Sequence, residues 1–404
     1  MKIVVVGGAG LMGPAVIADL LEQKDVSQIV VADIKEEIIK ERVAILGDER
    51  LTPVLLDLSD EQSAATLFRS AAAVANIASY AYCVPATRAA LEAGVNYLDL
   101  GALSGPESES QLALSDEFKQ KGITAILGMG GAPGMVNVLS RYIVNKLDSV
   151  ESIEIRDYDY DTVPDEEHSR PLYASYSIDT VIDEFSAPSL YFDNGELREV
   201  PPRSYPEVFR FSPPVGDFSI ATSAHPEPAT LSQTFKNKGI KHVSWKLGFM
   251  PHYEERLKFV CALGLASREP INVQGQMVSP RAVLMALLKN LPLEKKKAPD
   301  FYNEVVITVK GVETGEKVEY TINEIPSPAT DAKEKSIYKR LKIFPTAPRT
   351  GTFASIVTLM LARGQIEQKG VFLPEEIVPP ELFIEQISQR GHITEISRKT
   401  REGG

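Results

Sequence analysis

The sequence holds little of several residue types, and each shortage excludes a class of protein. Only Cys83 and Cys261 occur among 404 residues, which is too few for a disulfide scaffold or a cysteine metal site. No apolar run approaches the roughly 20 residues that cross a bilayer. Lys and Arg number 43 against 55 Asp and Glu, a net charge of −12. We therefore expect no nucleic-acid partner and no membrane partner.

Length and apolar content bound the architecture. The chain has 404 residues and is 44% hydrophobic, which predicts two domains with a sizeable core. The N-terminus begins on a strand pattern and lacks a basic stretch followed by an apolar run, so we expect no signal peptide. Together with the scarcity of cysteine, this predicts a cytoplasmic location.

The opening residues, MKIVVVGGAGLMGP, carry the strongest motif. Residues 2–6 form an apolar, valine-rich run that is typical of a buried parallel strand. Residues 8–13 then read G-x-G-x-x-G, and a helical pattern follows directly. In that setting Gly8 allows a tight turn, Gly10 admits a pyrophosphate to the backbone, and Gly13 lets the helix pack on the sheet. The helix N-terminus offers N–H groups to the phosphates.

An acidic residue closes the second predicted strand. Asp33 follows residues 27–32 and lies 25 positions after Gly8, near the spacing of the carboxylate that binds the adenosine ribose hydroxyls. A carboxylate repels a 2′-phosphate, so NAD is favoured over NADP, although the neighbouring Lys35 keeps NADP open. The alternative interpretation is a glycine-rich turn beside a solvated aspartate.

Strand and helix patterns alternate through the first third of the chain. Six strands joined by helices predict a doubly wound, parallel sheet of Rossmann type in the order 3-2-1-4-5-6. Ligands of such sheets bind beyond the carboxyl ends of the strands. Asp57 has an equally good interpretation as a helix cap or turn residue. The expected cofactor contacts are Gly8, Gly10, Leu11, Met12, Gly13, Asp33, Asp57, Leu58, Asn76, Ala78 and Ser79.

A second glycine loop, GMGGAPGMVN at residues 128–137, follows the sixth predicted strand and precedes a helical pattern. Such a loop offers backbone N–H groups to an anion, and a substrate carboxylate facing the nicotinamide would suit it. The alternative is a hinge between domains. Arg349 stands before a long apolar helix pattern and is a second candidate for a carboxylate. The expected substrate contacts are Gly131, Pro133, Gly134, Asn137 and Arg349.

Beyond residue 150 the pattern changes to an α+β domain with an antiparallel or mixed sheet. Asn194-Gly195 predicts a type I′ hairpin over residues 190–200. The triplet of Asp157, Asp159 and Asp161 lacks the glycine and the glutamate of a calcium loop, so we expect a solvated acidic loop and no metal. We expect the polar tail after Gly391 to be mobile.

The segment HPEPAT begins at His225, and two prolines flank its Glu227. The prolines should hold the segment extended, which makes the ionisable pair a candidate substrate contact. A purely structural loop is the alternative. An amine must be neutral to lose a hydride, so a weak base should take its proton. The candidates for this catalytic role are Asp99, Tyr97 and His225.

Several phrases spread along the chain, GGAGLMG, GVNYLDLG, GMGGAPGMVN, HPEPATL and TGTFASIVTLMLARG, together resemble the saccharopine dehydrogenase family. The resemblance implies a Rossmann domain over 1–137, completed by the C-terminal segment 349–404. It implies that residues 138–348 form an α+β domain that binds an amino-acid substrate and forms a homodimer. It also implies reversible, NAD(P)-dependent oxidation of a carbon–nitrogen bond.

Three hypotheses for function follow. The first is a dehydrogenase that acts by direct hydride transfer on the C–N bond of an amino acid or opine-type substrate similar to lysine or saccharopine. The second is reductive coupling of an amine to an aldehyde, as in members that resemble carboxynorspermidine dehydrogenases. The third, from a different class, is a non-catalytic protein that senses NAD.

Overall fold

The computed structural model of the protein describes residues 1–101, 106–168, 170–174, 176–291, 300–341 and 348–401. Strands and helices alternate in its N-terminal part, as the sequence predicts. The strands there are β1 Lys2–Val6, β2 Gln28–Asp33, β3 Leu51–Leu55, β4 Ala73–Asn76, β5 Asn96–Asp99 and β6 Thr124–Ile126. The helices are α1 Gly13–Leu21, α2 Glu36–Leu46, α3 Glu61–Phe68, α4 Cys83–Ala93, α5 Pro106–Leu112 and α6 Ser115–Gln120.

The middle of the chain is richer in strands. It begins with α7 Met135–Val144, β7 Ser149–Asp161, α8 Ile178–Ser186, β8 Ser189–Asp193, β9 Glu196–Val200, β10 Glu207–Arg210, β11 Asp217–Thr222 and α9 Glu227–Thr234. It continues with β12 His242–Phe249, α10 Pro251–Ala262, β13 Ile271–Val273, β14 Gln276–Val278, α11 Pro280–Asn290, β15 Phe301–Tyr302, β16 Val305–Glu313, β17 Glu316–Pro326 and α12 Pro328–Arg340. The C-terminal part holds α13 Pro348–Ala362, β18 Gly370–Phe372, α14 Pro374–Ile377, α15 Pro380–Gln389 and β19 His392–Thr400.

The first sheet has seven parallel strands in the order β3-β2-β1-β4-β5-β6-β18. The predicted order of six strands is confirmed, and β18 extends it beside β6. Alternate residues of β1 pack into two different apolar clusters, because helices cover both faces of the sheet: Ile3 and Val5 face one, Val4 and Val6 the other. The continuous valine run is therefore the signature of a strand buried on both sides.

The second sheet is mixed, as predicted. Its main path is β10-β11-β12-β7-β16-β17-β19, with β8 and β9 attached as a hairpin through β12. Strands β12 and β7 run parallel, whereas the other neighbours on the path are antiparallel. In the β8–β9 hairpin Asn194 and Gly195 have φ of 52° and 83°, the two positive values that a type I′ turn requires.

Two expectations for this region are wrong. Asp157, Asp159 and Asp161 lie within β7 and not in a solvated loop, because the strand continues through them. The segment after His225 is not extended. Glu227 begins α9, since a proline in the first helical turn lacks only an N–H that would have no partner there.

The tail is a further correction, because residues 392–400 are not mobile. They form β19, which pairs antiparallel with β17 from Val318 to Pro326. Only Ile393 and Ile396 are apolar in this stretch, and their spacing of three positions does not match the two-residue period of a strand. The C-terminal segment thus contributes to both sheets. The predicted domain boundary after residue 137 falls inside α7 and stays a prediction.

Helix α13 packs against α1 beside the first glycine loop. A Cβ on Gly351 would lie 2.6 Å from the Ala15 Cβ and 2.9 Å from the Met12 carbonyl oxygen, so only glycine permits this approach. Deeper in the same contact, buried Asp19 of α1 accepts from Ser355 Oγ at 2.7 Å and from Arg390 Nε at 2.6 Å. The start of α13 is thereby fixed next to the cofactor-binding end of the sheet.

Candidate functional site

The first glycine loop turns sharply after β1. Gly7 makes the turn, with a φ of 86°, and Gly10 N–H closes it by donating to the Gly7 carbonyl at 2.8 Å. Gly8 has a different task from the one expected, since its missing Cβ would lie 2.3 Å from Val31 Cγ1. A Cβ on Gly13 would lie 2.3 Å from the Gly8 carbonyl oxygen, so Gly13 serves close packing as predicted.

The loop leaves a cradle that fits a pyrophosphate. A Cβ on Gly10 would meet one neighbour, the Gly7 carbonyl oxygen at 3.0 Å, and otherwise points into open space. Among the described residues, the N–H groups of Leu11 and Met12 make no hydrogen bond. They precede the N-terminus of α1, where the helix dipole favours an anion. The unfilled space and the unused donors fit the phosphates of a dinucleotide.

Asp33 lies at the end of β2 beside this loop. Its Oδ2 accepts from Ala9 N–H at 2.8 Å and its Oδ1 from Lys35 N–H at 3.0 Å. Because the carboxylate is partly exposed, it can support the loop and also face a ribose. Both interpretations of Asp33 drawn from the sequence thus remain compatible with the geometry.

Arg42 is a residue of this site that the sequence analysis missed. It is 8% exposed, and its Nη1 donates to the carbonyls of Gly8 at 2.7 Å and Gly10 at 2.8 Å. The guanidinium therefore holds the glycine loop through two of its carbonyl groups. The sequence feature that could have indicated this role is the position of Arg42 three residues after Ile39, on the buried face of α2.

The residues beyond the other strands differ in how they can contact a cofactor. Asp57 is exposed and accepts from Ser59 N–H at 2.9 Å, which agrees with its interpretation as a turn residue. Its bonds with Ser59 lower its pKa. Leu58 is buried in the core below. Ala78 packs against the first loop, since a Cβ on Gly7 would lie 2.6 Å from Ala78 N, and exposed Ser79 follows it.

Asp99 and Tyr97 form a buried network with Asn76. Asn76 Nδ2 donates to the Tyr97 hydroxyl at 2.9 Å, which donates to Asp99 Oδ2 at 3.0 Å. Asp99 also accepts from Gln111 Nε2, Gly101 N–H and Gly128 N–H. Burial raises the pKa of Asp99 and of Tyr97. The Asp99 carboxylate, which is buried and accepts from four donors, anchors β5 to the second glycine loop. Asp99 and Tyr97 are therefore poorly suited to proton transfer.

The second glycine loop is largely closed on itself. Gly130 N–H donates to the Pro133 carbonyl at 2.8 Å, and Gly134 N–H donates to Asn137 Oδ1 at 2.9 Å. Of the N–H groups described in this loop, those of Gly131 and Ala132 bond no acceptor among the described residues. The candidate anion-binding groups of this loop are therefore these two N–H groups. A Cβ on Gly131 would lie 3.3 Å from Thr350 Oγ1, so the loop touches the start of α13.

Asn137 links the loop to two other elements. It is fully buried, and its Nδ2 donates to Glu375 Oε2 at 3.1 Å and to Thr230 Oγ1 at 3.3 Å. Burial raises the pKa of Glu375 to about 7. Because its amide is occupied on both sides, Asn137 holds α9 and α14 against the loop, and a direct substrate contact by it stays a prediction.

Arg349 is positioned by a buried ion pair. Its Nη1 donates to Glu324 Oε2 at 2.5 Å, and Glu324 Oε1 faces His392 Nδ1 at 2.8 Å. Burial alone would raise the pKa of Glu324, but Arg349 and His392 lower it. The guanidinium keeps an exposed edge, so a carboxylate ligand can approach it.

His225 lies between two carboxylates and against an aromatic ring. Its Nδ1 is 3.0 Å from Glu227 Oε2, its Nε2 is 3.3 Å from Glu184 Oε1, and its ring stacks on Trp245 at 4.1 Å. Burial lowers the pKa of His225, but the two carboxylates outweigh this and raise it to about 10. The imidazole is therefore a cation at neutral pH, which makes it a weak choice of proton acceptor there.

Asp157 is the second residue that the sequence analysis missed. It is half-buried, and its Oδ1 accepts from Asn303 Nδ2 at 2.8 Å. Burial raises its pKa to about 7, against the opposing charges of Arg349 and His225 nearby. A carboxylate that titrates near neutrality and keeps some solvent contact suits proton exchange with an amine. Its signal was the alternation of three aspartates, which places them on one strand face.

The described part of the chain contains neither a metal-binding cluster nor a membrane-spanning helix. No group of three or more His, Cys, Asp or Glu side chains is arranged there to hold a metal. None of the described helices is long and apolar enough to cross a membrane.

Comparison with family profiles gives two matches. Residues 3–126 match the profile described as saccharopine dehydrogenase NADP binding domain, and residues 130–392 match the saccharopine dehydrogenase C-terminal domain.

Individual proteins show the same likeness. The chain is similar to carboxynorspermidine synthase of Vibrio cholerae, 29% identical over 75% of this chain and 72% of the relative. It is similar to carboxyaminopropylagmatine dehydrogenase of a Synechocystis species, 25% identical over 97% of this chain and 96% of the relative. Its fold resembles that of saccharopine dehydrogenase (L-Glu forming) from Saccharomyces cerevisiae, with a TM-score of 0.71, 14% identity, and coverage of 98% and 99% of the two chains.

We expect Gly10→Val to weaken dinucleotide binding at least about tenfold, or about 1.4 kcal/mol, because its side chain fills the cradle. Titration followed by NAD(P)H fluorescence measures this. Val31→Ala, which alters the core behind the loop and leaves the cradle open, is the control. Equal affinity of the Gly10→Val and parent proteins would show that phosphates do not bind at this loop.

Proposed function

The chain belongs to the saccharopine dehydrogenase family, which confirms the resemblance of its motifs, and on that premise we propose that it joins an amine to a carboxylate-bearing aldehyde by reductive coupling. The family assignment makes it an NAD(P)-dependent oxidoreductase. The choice of coupling over oxidation of a simple amino acid is the proposed step. It places the second of the three sequence-based hypotheses first.

One observation carries the proposal, namely that Arg349 lies close enough to Asp157 for its charge to act on that carboxyl. A base with a pKa of about 7 serves the amine, and a guanidinium serves the carboxylate of the carbonyl partner. The names of the two curated relatives, carboxynorspermidine synthase and carboxyaminopropylagmatine dehydrogenase, both describe a carboxylated amine chain. These names support the same choice.

The chemistry requires a neutral amine. Asp157 accepts a proton from the incoming ammonium, and the freed lone pair attacks the aldehyde carbon. Loss of water forms the imine, whose carbon then takes a hydride while its nitrogen keeps or gains one proton, so that a secondary amine results. NAD(P)H, when bound on the first glycine loop, supplies that hydride. Arg349 holds the carboxylate so that the reacting atoms stay aligned.

His225 acts here by charge and position. With Glu184 and Glu227 it forms a group of net charge −1, which lowers the free energy of a cationic amine beside Asp157. We also propose NAD as the preferred cofactor. The support is Asp33 at the ribose position, together with Arg42, whose guanidinium donates to the loop carbonyls of Gly8 and Gly10. A cytoplasmic location is proposed on the two cysteines, both free.

An absorbance screen at 340 nm tests the coupling. We expect NADH consumption only when a primary amine and a carboxylate-bearing aldehyde are both present, and slower consumption of NADPH. Formation of NADH from one amino acid and NAD alone would identify an amino-acid dehydrogenase instead. Tight cofactor binding without turnover of any pair would favour the sensing hypothesis.

We expect Asp157→Asn to lower kcat by a factor of about 100 or more, because it removes the proton acceptor. An aspartate is active as a base when ionised, so the parent rate should rise with pH through about 7 and then level off. The variant should lose this inflection. Glu375 also titrates near 7, and Glu375→Gln is therefore the control that should retain the inflection. An unchanged pH profile in Asp157→Asn would contradict the assignment.

The homodimer implied by the family resemblance also stays a proposal. Large apolar side chains are exposed on and beside α10 and α11: Phe259 at 65%, Leu263 at 59% and Leu287 at 58%. A patch of this kind suits a second copy of the chain. We expect light scattering to give twice 44.3 kDa for the parent protein, and the monomer mass for Leu263→Arg. A parent monomer would contradict the proposal.

A further inference from the structure

A surface groove in the middle of the chain contains none of the residues assigned to the candidate functional site. Its volume is about 320 Å³, which is room for a small organic molecule. The end of α8, the segment between β9 and β10, and one face of α10 form its wall. The lining residues are Phe185, Ser186, Pro202, Arg203, Lys258 and Cys261. An aromatic ring and a proline thus share the groove with two cations, which suits a ligand that has an apolar body and a negative charge.

The guanidinium of Arg203 is only partly paired. Its side chain is 11% exposed, and its Nη1 donates to the Leu247 carbonyl at 2.7 Å and to the Ala221 carbonyl at 3.4 Å. Among the described residues, the carboxylate that reaches it is that of Glu254, 3.5 Å from Nη2, and its Nε bonds no described acceptor. Burial lowers the pKa of Arg203, and Glu254 opposes this. The fold therefore holds a cation at the groove whose charge the protein neutralises incompletely.

Two aromatic rings and a strained backbone hold Arg203 in place. Its Cζ lies 5.4 Å from the ring centroid of Phe185 and 5.4 Å from that of Phe249. Arg203 and Tyr205 have φ of 58° and 48°, in the left-handed region that residues other than glycine rarely adopt. Such a backbone persists only where its surroundings fix it, and it is concentrated at ligand-binding sites. The guanidinium is thereby held at the groove before any ligand binds.

One carboxylate is shared between the two cations of the groove. Glu254 lies 3.1 Å from Lys258 Nζ and 3.5 Å from Arg203 Nη2, so the three side chains carry a net charge of +1. The Lys258 side chain is 60% exposed, and its ammonium is therefore free to turn from Glu254 to a ligand. A single additional negative charge would complete the pairing of this group.

We propose that this groove binds a small organic monocarboxylate, with the carboxylate between Arg203 and Lys258 and the apolar body against Phe185 and Pro202. The charge of the ligand matches the net charge of the side chains that face it, and the ring and the proline exclude water from its apolar part. The site is separate from the glycine loops and from Arg349, so it does not depend on the proposed reaction.

The groove also lies apart from the apolar patch that we assign to a second copy of the chain. Successive residues of a helix are rotated by about 100°. Lys258 and Cys261 therefore face a different side of α10 from Phe259 and Leu263, which carry that patch. Formation of the proposed dimer would leave the groove open to a small molecule.

Calorimetric titration of the full-length protein with benzoate tests the chemistry of the site. We expect benzoate to bind, and benzyl alcohol, which has the same ring and no charge, to have a Kd at least about tenfold higher. Lys258→Gln should raise the Kd for benzoate about fivefold. Lys40→Gln is the matched control, because Lys40 is also an exposed lysine that pairs with a glutamate four positions earlier on a helix, and it should have no effect.

A second variant has an expected effect of opposite sign. Glu254→Gln removes the carboxylate that competes with the ligand, so we expect it to lower the Kd for benzoate at least about threefold. Equal Kd values for benzoate in the Lys258→Gln and parent proteins would overturn the proposal. Tighter binding of inorganic phosphate than of benzoate would overturn the assignment to a carboxylate.

Labelling of Cys261 with a maleimide locates the bound benzoate. Cys83 is 2% exposed, so the labelling rate reports on Cys261 in the wall of the groove. We expect benzoate to slow the labelling over the same concentrations that saturate the calorimetric signal. Arg349→Met should change neither the Kd nor this protection, which separates the groove from the carboxylate site of the proposed function. Binding that Arg349→Met abolishes, without protection of Cys261, would overturn the proposal.

Discussion

The contact between the start of α13 and the first turn of α1 is the constraint on which the site depends. Gly351 brings the two helices to a distance that no other residue permits, with a Cβ position 2.6 Å from that of Ala15. Arg349 and Thr350 immediately precede it, so one backbone contact sets a cation and a hydroxyl beside the second glycine loop. Asp19 of α1 also accepts from Ser355 of α13 and forms a buried ion pair with Arg390 at the end of α15. Removing one partner of such a pair costs about 3–5 kcal/mol, so the geometry is strongly enforced.

The two sides of this helix contact differ in the groups that carry charge. Arg349 and the His225 imidazolium, whose charges act on Asp157, are each held by buried carboxylates. On the cofactor side the anion cradle is made of backbone N–H groups, and the charged side chains of Asp33 and Arg42 support the glycine loop.

Sequence reasoning succeeded where the determinant is local. The glycines of the first loop, the valine run of β1 and the Asn194-Gly195 turn each specify a backbone conformation through their own chemistry, and the strand order follows from right-handed crossovers. It did not predict features that depend on distant neighbours. Asp99 looks like an exposed strand-end acid until Gln111 and Gly128 surround it. Asp157 acquires its raised pKa from burial by the surrounding fold, and the charge that opposes the rise comes from Arg349, nearly two hundred positions away. The pairing of β19 with β17 likewise has no local signature, because a polar edge strand and a polar tail have similar compositions.

The position of β18 has a consequence for how the chain is made. In the folded protein β18 pairs with β6, which is the last strand that the N-terminal part of the chain contributes to the first sheet. While the ribosome is still synthesising the middle of the chain, β6 has nothing on its outer side and exposes an unpaired edge. The nucleotide-binding sheet is therefore completed only after the whole second sheet except β19 has emerged. Nascent chains would spend most of their synthesis with an open edge, and this is the period in which a chaperone or an early-bound dinucleotide would protect them most.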